Sequence, residues 1–462
     1  MTRMVARAIL EVDPLLAVAT VTAGALGFLF LGKPSLWVDE IFSATAARLS
    51  LSRLWGLVTS SQANMGLYYF LLHFWIRFVG DGDSAIRALS VLPAVATVPV
   101  FYGLGRRLFG SLAAGLACVL LSVNAFFITY AQQARGYSLV LLLVTVSSYS
   151  FVRAIEQPSR RWWIAYVVAS TLAVYTHLFA ILVPPAHLVS LLFLKRRPKW
   201  WRRLATSVIA IGLAVSPMAL FVLTRNEGQI AWISAPSAWG LVAAVEDWTG
   251  GRASLVAAYF ILCCLGLRPL FRGNKNGEAG DATWRYAFTL AWLLLPVVVS
   301  VTFSLAVTPI FEPRYLIISL PPLVLLAAAG LAGLDRGWLR LGAVVLVVLL
   351  AIRGLVSRYG SEIEGWREAT SFVLSEARPH DTVVFCPPGT RGAFDYYVNE
   401  LGASARAPQP LHGGVLGGRP PSHLWIVVRQ AADPSACPPI QRVLAHSETR
   451  QFAGVLVARY QG

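Results

Sequence analysis

The chain has 462 residues, 56% of them hydrophobic and 13% charged, with a mean hydropathy of +0.62. A soluble domain carries about 25% charged residues, whereas apolar runs long enough to cross about 30 Å of hydrocarbon recur along this chain; it reads as a polytopic α-helical membrane protein. The net charge of +16 does not point to nucleic acid, because Lys and Arg cluster in short gaps between apolar runs, where they set orientation.

In chain order, the first element is "MTRMVARAILEVDPLLAVATVTAGALGFLFLG". Basic residues before an apolar run can mimic a signal peptide, but with so many spans after it this stretch reads as an uncleaved first helix. Candidate spans run roughly over 13–31, 86–105, 109–130, 137–154, 162–178, 181–194, 204–223, 253–270, 286–307, 316–334 and 339–356. That makes about 11 transmembrane helices, with the pair inside 162–194 short for two crossings.

The first outer loop, about 32–85, opens with "SLWVDEIFSA", which carries Asp39 and Glu40. It continues into "NMGLYYFLLHFWIRFVGDGD", Asn64 to Asp83, an apolar stretch interrupted by His73 and Arg77. Counting that stretch as a span would invert everything after it, so it is expected to be an interfacial or re-entrant element covered by protein; the alternative is an ordinary short span. The basic gaps are "GRRLFG" (Arg106, Arg107), "RAIEQPSRR" (Arg153, Arg160, Arg161), "KRRPKWWRR" (Lys195 to Arg203), "RPLFRGNKNG" (Arg268, Arg272, Lys275) and "DRGWLR" (Arg336, Arg340). Alternating crossings put them all on one side with Arg3 and Arg7, and the positive-inside rule makes that side the cytoplasm. Four polar clusters then share the extracytoplasmic face: Asp39-Glu40, "YAQQARGYS" (Tyr130 to Ser138), "YTHLF" (Tyr175 to Phe179) and "IFEPRYL" (Ile310 to Leu316).

From about Tyr359 charge rises, and Gly and Pro become frequent. "EGWREATSFVLSEA" has helical periodicity, "GAFDYYVNEL" is a second helix, and "DTVVFC", "HLWIVVR" and "GVLVARY" read as short strands. The expected division is a transmembrane domain over 1–356 and a small soluble α/β domain over 357–462, which an odd number of crossings places outside the cytoplasm. Cys386 and Cys437 are its only cysteines; an oxidising compartment would permit a bridge, and two free thiols are the other reading. Cys118, Cys263 and Cys264 lie in spans and read as small buried residues. No CxxC or His-Cys spacing suggests zinc, and no repeat stands out.

Ionisable groups at membrane depth are costly and by default suggest function. Asp39 and Glu40 need a role as base, metal ligand or partner of a cation. Arg135 and Arg314 suit phosphate through the planar guanidinium fork; Glu312 lies beside Arg314, and His177 sits near the outer end of its helix. Such a constellation could bind an anionic lipid-linked donor and deprotonate a hydroxyl acceptor. Bland readings stand beside these. Asp39 could cap a helix starting near Ile41, the arginines could snorkel to headgroups, His177 could be a satisfied core residue, and Glu312 could merely neutralise Arg314.

"LWVDEIFSA" resembles the Asp-Glu motif in the first outer loop of GT-C glycosyltransferases, especially family 39 and its protein-mannosyltransferase-like bacterial relatives. The resemblance continues through "LYYFLLHFWIRFVGDGDSAIRALSVLPAVATVPVFYGLGRRLFG", "YAQQARGYSLVLLL", "YTHLF", "EPRYLIISLPPLVLLAAAGL" and "GWREATSFVLSEARPHDTVVF". Each motif alone is weak; the ordered series is strong. It implies an enzyme of the plasma or inner membrane that moves a sugar from a polyprenyl-phosphate donor to a glycan, lipid or protein acceptor outside the cytoplasm, usually with inversion. Carried over residue by residue, Asp39 is the base with Glu40 beside it. Arg135 and Tyr137 match the "ARPY"-like segment, and Glu312, Arg314 and Tyr315 the "RY" segment; Asn64, Tyr68 and His177 complete the expected substrate-binding set. Relatives often have His-Pro-Pro where this chain has Asn64-Met65-Gly66, and "ARPY" here reads Ala134-Arg135-Gly136-Tyr137. The first departure removes a histidine that could touch metal, so a divalent cation stays open as a cofactor and no other cofactor is implied. A transporter or flippase of a lipid-linked sugar is the rival from another class, but the inverted repeats with broken midplane helices typical of such proteins are not visible. A structural or sensory membrane protein whose tail binds glycan is the third.

Overall fold

The structure, a computed structural model, describes residues 13–194, 200–224, 232–271, 279–378, 380–411, 421, 423–430, 443–444 and 447–461. Arg3, Arg7, the basic residues within 195–199, Arg272, Lys275 and Cys437 lie outside the described residues. The chain forms two compact units: residues 1–29, 49–75 and 87–358, and residues 30–48, 76–86 and 359–462.

The first unit is helical. Seven described helices are long and apolar enough to cross a membrane: Asp83–Phe109, Tyr137–Glu156, Trp201–Thr224, Ala253–Phe271, Thr283–Ala306, Pro313–Ala332 and Gly337–Tyr359. Ser111–Ser122 and Ala125–Ala131 make an eighth if the pair, bent by 63°, is one span. The expected count of 11 is therefore not reached on length and composition. Pro14–Phe28, Gly66–Val79 and Leu178–Phe193 are apolar but short; at 1.5 Å per residue, the 14 residues of Gly66–Val79 reach only about 21 Å.

Local sequence explains where these helices start and break. Asp13 accepts the Leu15 N–H at 2.9 Å ahead of Pro14 at the first helical position, and its other oxygen accepts the Tyr102 hydroxyl at 2.8 Å. The cap satisfies an otherwise orphaned donor, and the missing proline N–H costs nothing there. Asn124 makes the bend at 122–125, accepting the Phe127 N–H at 2.9 Å while its amide donates to the Trp248 carbonyl at 3.0 Å. Pro313–Ala332 is the central element, 78% buried over its apolar window against 22% for Ala253–Phe271 and Gly337–Tyr359. Ala253–Phe271 crosses it backbone to backbone: a Cβ on Gly330 would lie 1.9 Å from the Leu262 carbonyl oxygen, and one on Gly266 2.4 Å from that of Leu326. Small residues permit that approach where no hydrophobic force drives helices together. Among the cysteines, Cys118 is buried as expected, Cys263 is half-buried and Cys264 is exposed. Cys264 corrects the reading of all three as buried; it sits on a helix whose apolar window is only 22% buried, on a face that none of the described residues covers.

Among the described residues, the second unit carries a five-stranded mixed sheet in the order β2-β1-β3-β5-β4. The strands are β1 Thr382–Cys386, β2 Gln409–Pro410, β3 His423–Arg429, β4 Glu448–Phe452 and β5 Val455–Gln461. β1 runs parallel to β2 and β3, and β5 is antiparallel to β3 and β4. β1, β3 and β5 are the three strands expected from the sequence, and the helices Trp366–Glu376 and Arg391–Glu400 are the two expected helices. Trp366, Ala369, Thr370 and Val373 bury one helical face, the i, i+3, i+4, i+7 stripe of an amphipathic helix. β4 was not expected: four of its five residues are exposed, so it lacks the alternation that marks a half-buried strand. Leu424 to Val427 in β3 are all buried, as a central strand requires. Val384, Cys386, Leu424, Ile426 and Ala458 pack on one face. On the other, Trp425 meets Phe372 and Phe385 meets Phe394 from the helices, with ring centroids 6.0 and 5.4 Å apart. Cys386 is disulfide-bonded.

Candidate active site

Asp39 and Glu40 fall in the second unit and the other eight expected residues in the first.

In the second unit, the helix Val38–Arg48 begins at Val38, not near Ile41. Asp39 is therefore its second residue, inside the first turn, and the cap reading fails on position. Glu40, at the third, is 0% exposed, and its carboxylate accepts the Trp37 N–H at 3.4 Å. That is the reciprocal half of a capping box, in which a third-position Glu reaches back to the N-cap amide. Asp39 is half-buried, and its carbonyl accepts the Ser43 hydroxyl at 3.0 Å. The two adjacent carboxylates thus differ: Glu40 ties down the helix start and Asp39 keeps partial access to solvent.

In the first unit, a cationic and aromatic cluster forms where several helices end. His177 ends the helix Arg160–Thr176, is 1% exposed, and accepts the Phe179 N–H on Nδ1 at 3.3 Å. That contact assigns the ring proton of the neutral imidazole to Nε2. Nε2 is buried with no hydrogen-bond partner among the described residues. The ring lies 5.6 Å from that of Tyr137 and 4.9 Å from that of Tyr315, and both Arg135 and Arg314 are close enough to act on it electrostatically. Arg314 Nε lies 3.2 Å from Glu312, and the guanidinium covers the Trp232 ring at 5.1 Å. The Pro313 carbonyl between them accepts the Trp248 indole N–H at 2.9 Å. Arg135 donates to the Tyr69 hydroxyl at 3.3 Å, and its carbonyl accepts the Ser90 hydroxyl, which also bonds Tyr68 at 2.8 Å. Asn64 accepts the Leu178 N–H at 2.9 Å, so the residue standing where relatives often have histidine anchors the backbone after His177. Gly136, standing where relatives have proline, is packed tightly: a Cβ there would come 3.1 Å from Thr176 Cγ2 and 3.2 Å from its carbonyl oxygen.

All eight expected residues of the first unit thus contribute to this one neighbourhood. Tyr69, Ser90, Trp232 and Trp248 belong to it without having been singled out. Tyr69 is the second Tyr of the quoted "LYY"; nothing in the sequence distinguished the other three from the many Ser and Trp residues near span ends. Among the described residues, no group of three or more His, Cys, Asp or Glu could hold a metal ion.

Residues 66–222 match the family model described as dolichyl-phosphate-mannose-protein mannosyltransferase. Among solved structures, ArnT from Cupriavidus metallidurans, bound to undecaprenyl phosphate, is similar with a TM-score of 0.60 at 14% identity, over 96% of this chain and 97% of that one. The fold is that of the GT-C membrane glycosyltransferases. The Archaeoglobus fulgidus oligosaccharyltransferase in its apo form is similar with a TM-score of 0.53 at 11% identity, over 86% of this chain and 64% of that one. The archaeal oligosaccharyltransferase AglB from the same organism, in complex with an inhibitory peptide and a dolichol-phosphate, reaches 0.51 at 11% identity, over 96% and 73%. No curated protein matches the chain by sequence. The chain is thus a multi-pass membrane protein of GT-C fold. The family match takes in Tyr68, Arg135, Tyr137 and His177, while Asp39, Glu40 and Glu312 to Tyr315 lie outside it.

Proposed function

We propose that this protein is a glycosyltransferase that moves a sugar from a polyprenyl-phosphate donor to an acceptor hydroxyl on a cell-envelope glycan, lipid or protein, at the extracytoplasmic face of the plasma membrane and with inversion. The observation that carries it is that two permanent cations, Arg135 and Arg314, both act electrostatically on the buried imidazole of His177, whose Nε2 has no hydrogen-bond partner among the described residues, on a fold also seen in ArnT bound to undecaprenyl phosphate. Carrier phosphate leaves as an anion, and fixed donors aimed at developing charge lower the barrier because they need no reorganisation. The guanidinium forks offer paired donors to phosphate oxygens. Asp39 takes the acceptor proton as general base. The acceptor oxygen forms a bond to the anomeric carbon as that carbon's bond to the phosphate oxygen breaks. The proton goes to Asp39 and the electron pair to the carrier phosphate. One displacement inverts the carbon and needs no covalent intermediate, as in inverting glycosidases. The disulfide at Cys386 supports an oxidising compartment for the second unit.

The deciding experiment supplies radiolabelled polyprenyl-phosphate sugars to membranes containing the protein. Label moving to a glycan, lipid or protein acceptor is the expected result. Label that changes sides while still attached to its carrier would replace this reading with transport.

A further inference from the structure

Within the second unit, the segment "EIEGWRE", Glu362 to Glu368, meets the stretch that leads into the Asp39 helix. Glu364 is 2% exposed, yet its carboxylate is fully engaged. Oε2 accepts the Val38 N–H at 3.0 Å and the Trp366 indole N–H at 2.6 Å, and Oε1 pairs with Arg429 Nε at 2.6 Å. Val38 is the first residue of the Asp39 helix, so its N–H is one of the donors that a helix leaves unsatisfied. A carboxylate there satisfies the donor and lies at the positive end of the helix dipole.

The surroundings hold Glu364 still. Gly454 turns the β4–β5 hairpin at φ +59°, and a Cβ on it would come 2.5 Å from the Ile363 carbonyl oxygen. The Gly365 N–H donates to the Ala453 carbonyl at 2.7 Å. The neighbours of Glu364 act on the same stretch. Glu362 accepts the Ser35 N–H at 2.5 Å and its hydroxyl at 2.7 Å, and Glu368 lies 3.1 Å from the same hydroxyl. Tyr397 accepts the Leu36 N–H at 2.6 Å and donates to Asp83 at 3.2 Å. Burial and the charge of Asp83 raise the Tyr397 pKa above the usual phenol range, so it remains a donor. Arg367 completes the set with an ion pair to Asp83 and a bond to the Lys33 carbonyl at 3.2 Å.

We infer that Glu364 is a positioning residue for the transfer reaction: the tail domain supplies the carboxylate that fixes the start of the Asp39 helix and hence the place of the base. The inference rests on Asp39 being the base. Arg429 and the Trp366 indole anchor the buried carboxylate, and the oxygen that takes the indole N–H also reaches the first N–H of a helix 326 residues away. Glu364→Ala removes all three contacts. Glu364→Gln keeps the volume but presents an amide N–H₂ to at least one of the facing donors.

The test measures kcat, donor KM and hydrogen exchange of residues 33–43 for both variants of the full-length protein, in wild-type and Asp39→Asn backgrounds. A misplaced base can cost about 10²-fold in kcat. The expected result is a kcat loss of at least about tenfold for Glu364→Ala, less for Glu364→Gln, with donor KM unchanged. Exchange at Val38 should be faster, and little further kcat loss should appear on the Asp39→Asn background, since coupled residues are non-additive. Unchanged exchange, unchanged kcat, or an equal loss in both backgrounds would overturn the inference; the last outcome marks a general structural role. If Glu364→Ala does not fold, Glu364→Gln carries the same test. Near-normal turnover by Asp39→Asn alone would instead remove the base assignment, and the inference with it.

Discussion

Replacing Asp39 by Asn separates chemistry from helix capping. The helix starts at Val38, and its first donors are taken by Glu40, through the Trp37 N–H, and by Glu364, through the Val38 N–H. Asp39, at the second position, is a negative charge near the helix start, worth about 0.3–1 kcal/mol. Asn keeps the shape and removes that charge, so a stability loss of that order is expected. As general base, Asp39 should account for about 10² to 10⁴ in rate, which at 1.36 kcal/mol per tenfold is about 2.7 to 5.4 kcal/mol of barrier. The gap between the two figures makes the experiment decisive. Purified Asp39→Asn protein should unfold thermally close to wild type and transfer sugar at 1% of the wild-type rate or less, by order of magnitude. Glu40→Ala should show the opposite balance, because Glu40 is buried and its carboxylate ties the helix start: a stability loss of about 0.5–2 kcal/mol with a smaller effect on turnover. Well-folded Asp39→Asn protein with near-normal turnover would refute the reasoning.

Arg135→Ala and Arg314→Ala should each raise the donor concentration needed for half-maximal transfer, and Lys at either position should restore it only partly because it lacks the guanidinium fork; donor titrations with wild-type affinity in both Ala variants would contradict the phosphate assignment. Orientation is checked with single cysteines at Ser375, exposed in the second unit, and Gln157, exposed beyond the helix Tyr137–Glu156. A membrane-impermeant thiol reagent should label Ser375→Cys in intact cells and leave Gln157→Cys unlabelled, and the reverse pattern would invert the topology. Gly330→Ala should cost about 1–3 kcal/mol of thermal stability, because its methyl would fall 1.9 Å from the Leu262 carbonyl oxygen and force two packed helices apart; a melting temperature equal to wild type would show that the crossing can relax.

What the sequence made legible follows from how strongly physics marks each feature. Hydrocarbon demands long apolar runs, so the spans stood out, while the short helices Pro14–Phe28 and Leu178–Phe193 blurred their number. The stripe of Trp366, Ala369, Thr370 and Val373 and the buried run of β3 declared themselves by period and composition. β4, with the sequence ETRQF and its side chains mostly exposed, has neither. Asp39-Glu40 drew attention because a carboxylate pair at the end of an apolar run is costly, but pattern alone could not tell the two apart. That distinction needs the helix start, whose first N–H is met by Glu364. In the sequence Glu364 is one of three acidic residues, with Glu362 and Glu368, at and around the start of a stretch read only for its helical periodicity. The feature that separates it, burial against Val38, spans 326 residues of chain and leaves no local periodicity behind. Motifs near the proposed chemistry can be read locally because their residue types are unusual for their surroundings. A residue that acts by holding another element in place is ordinary for its own surroundings and becomes visible only once the fold brings its partner to it.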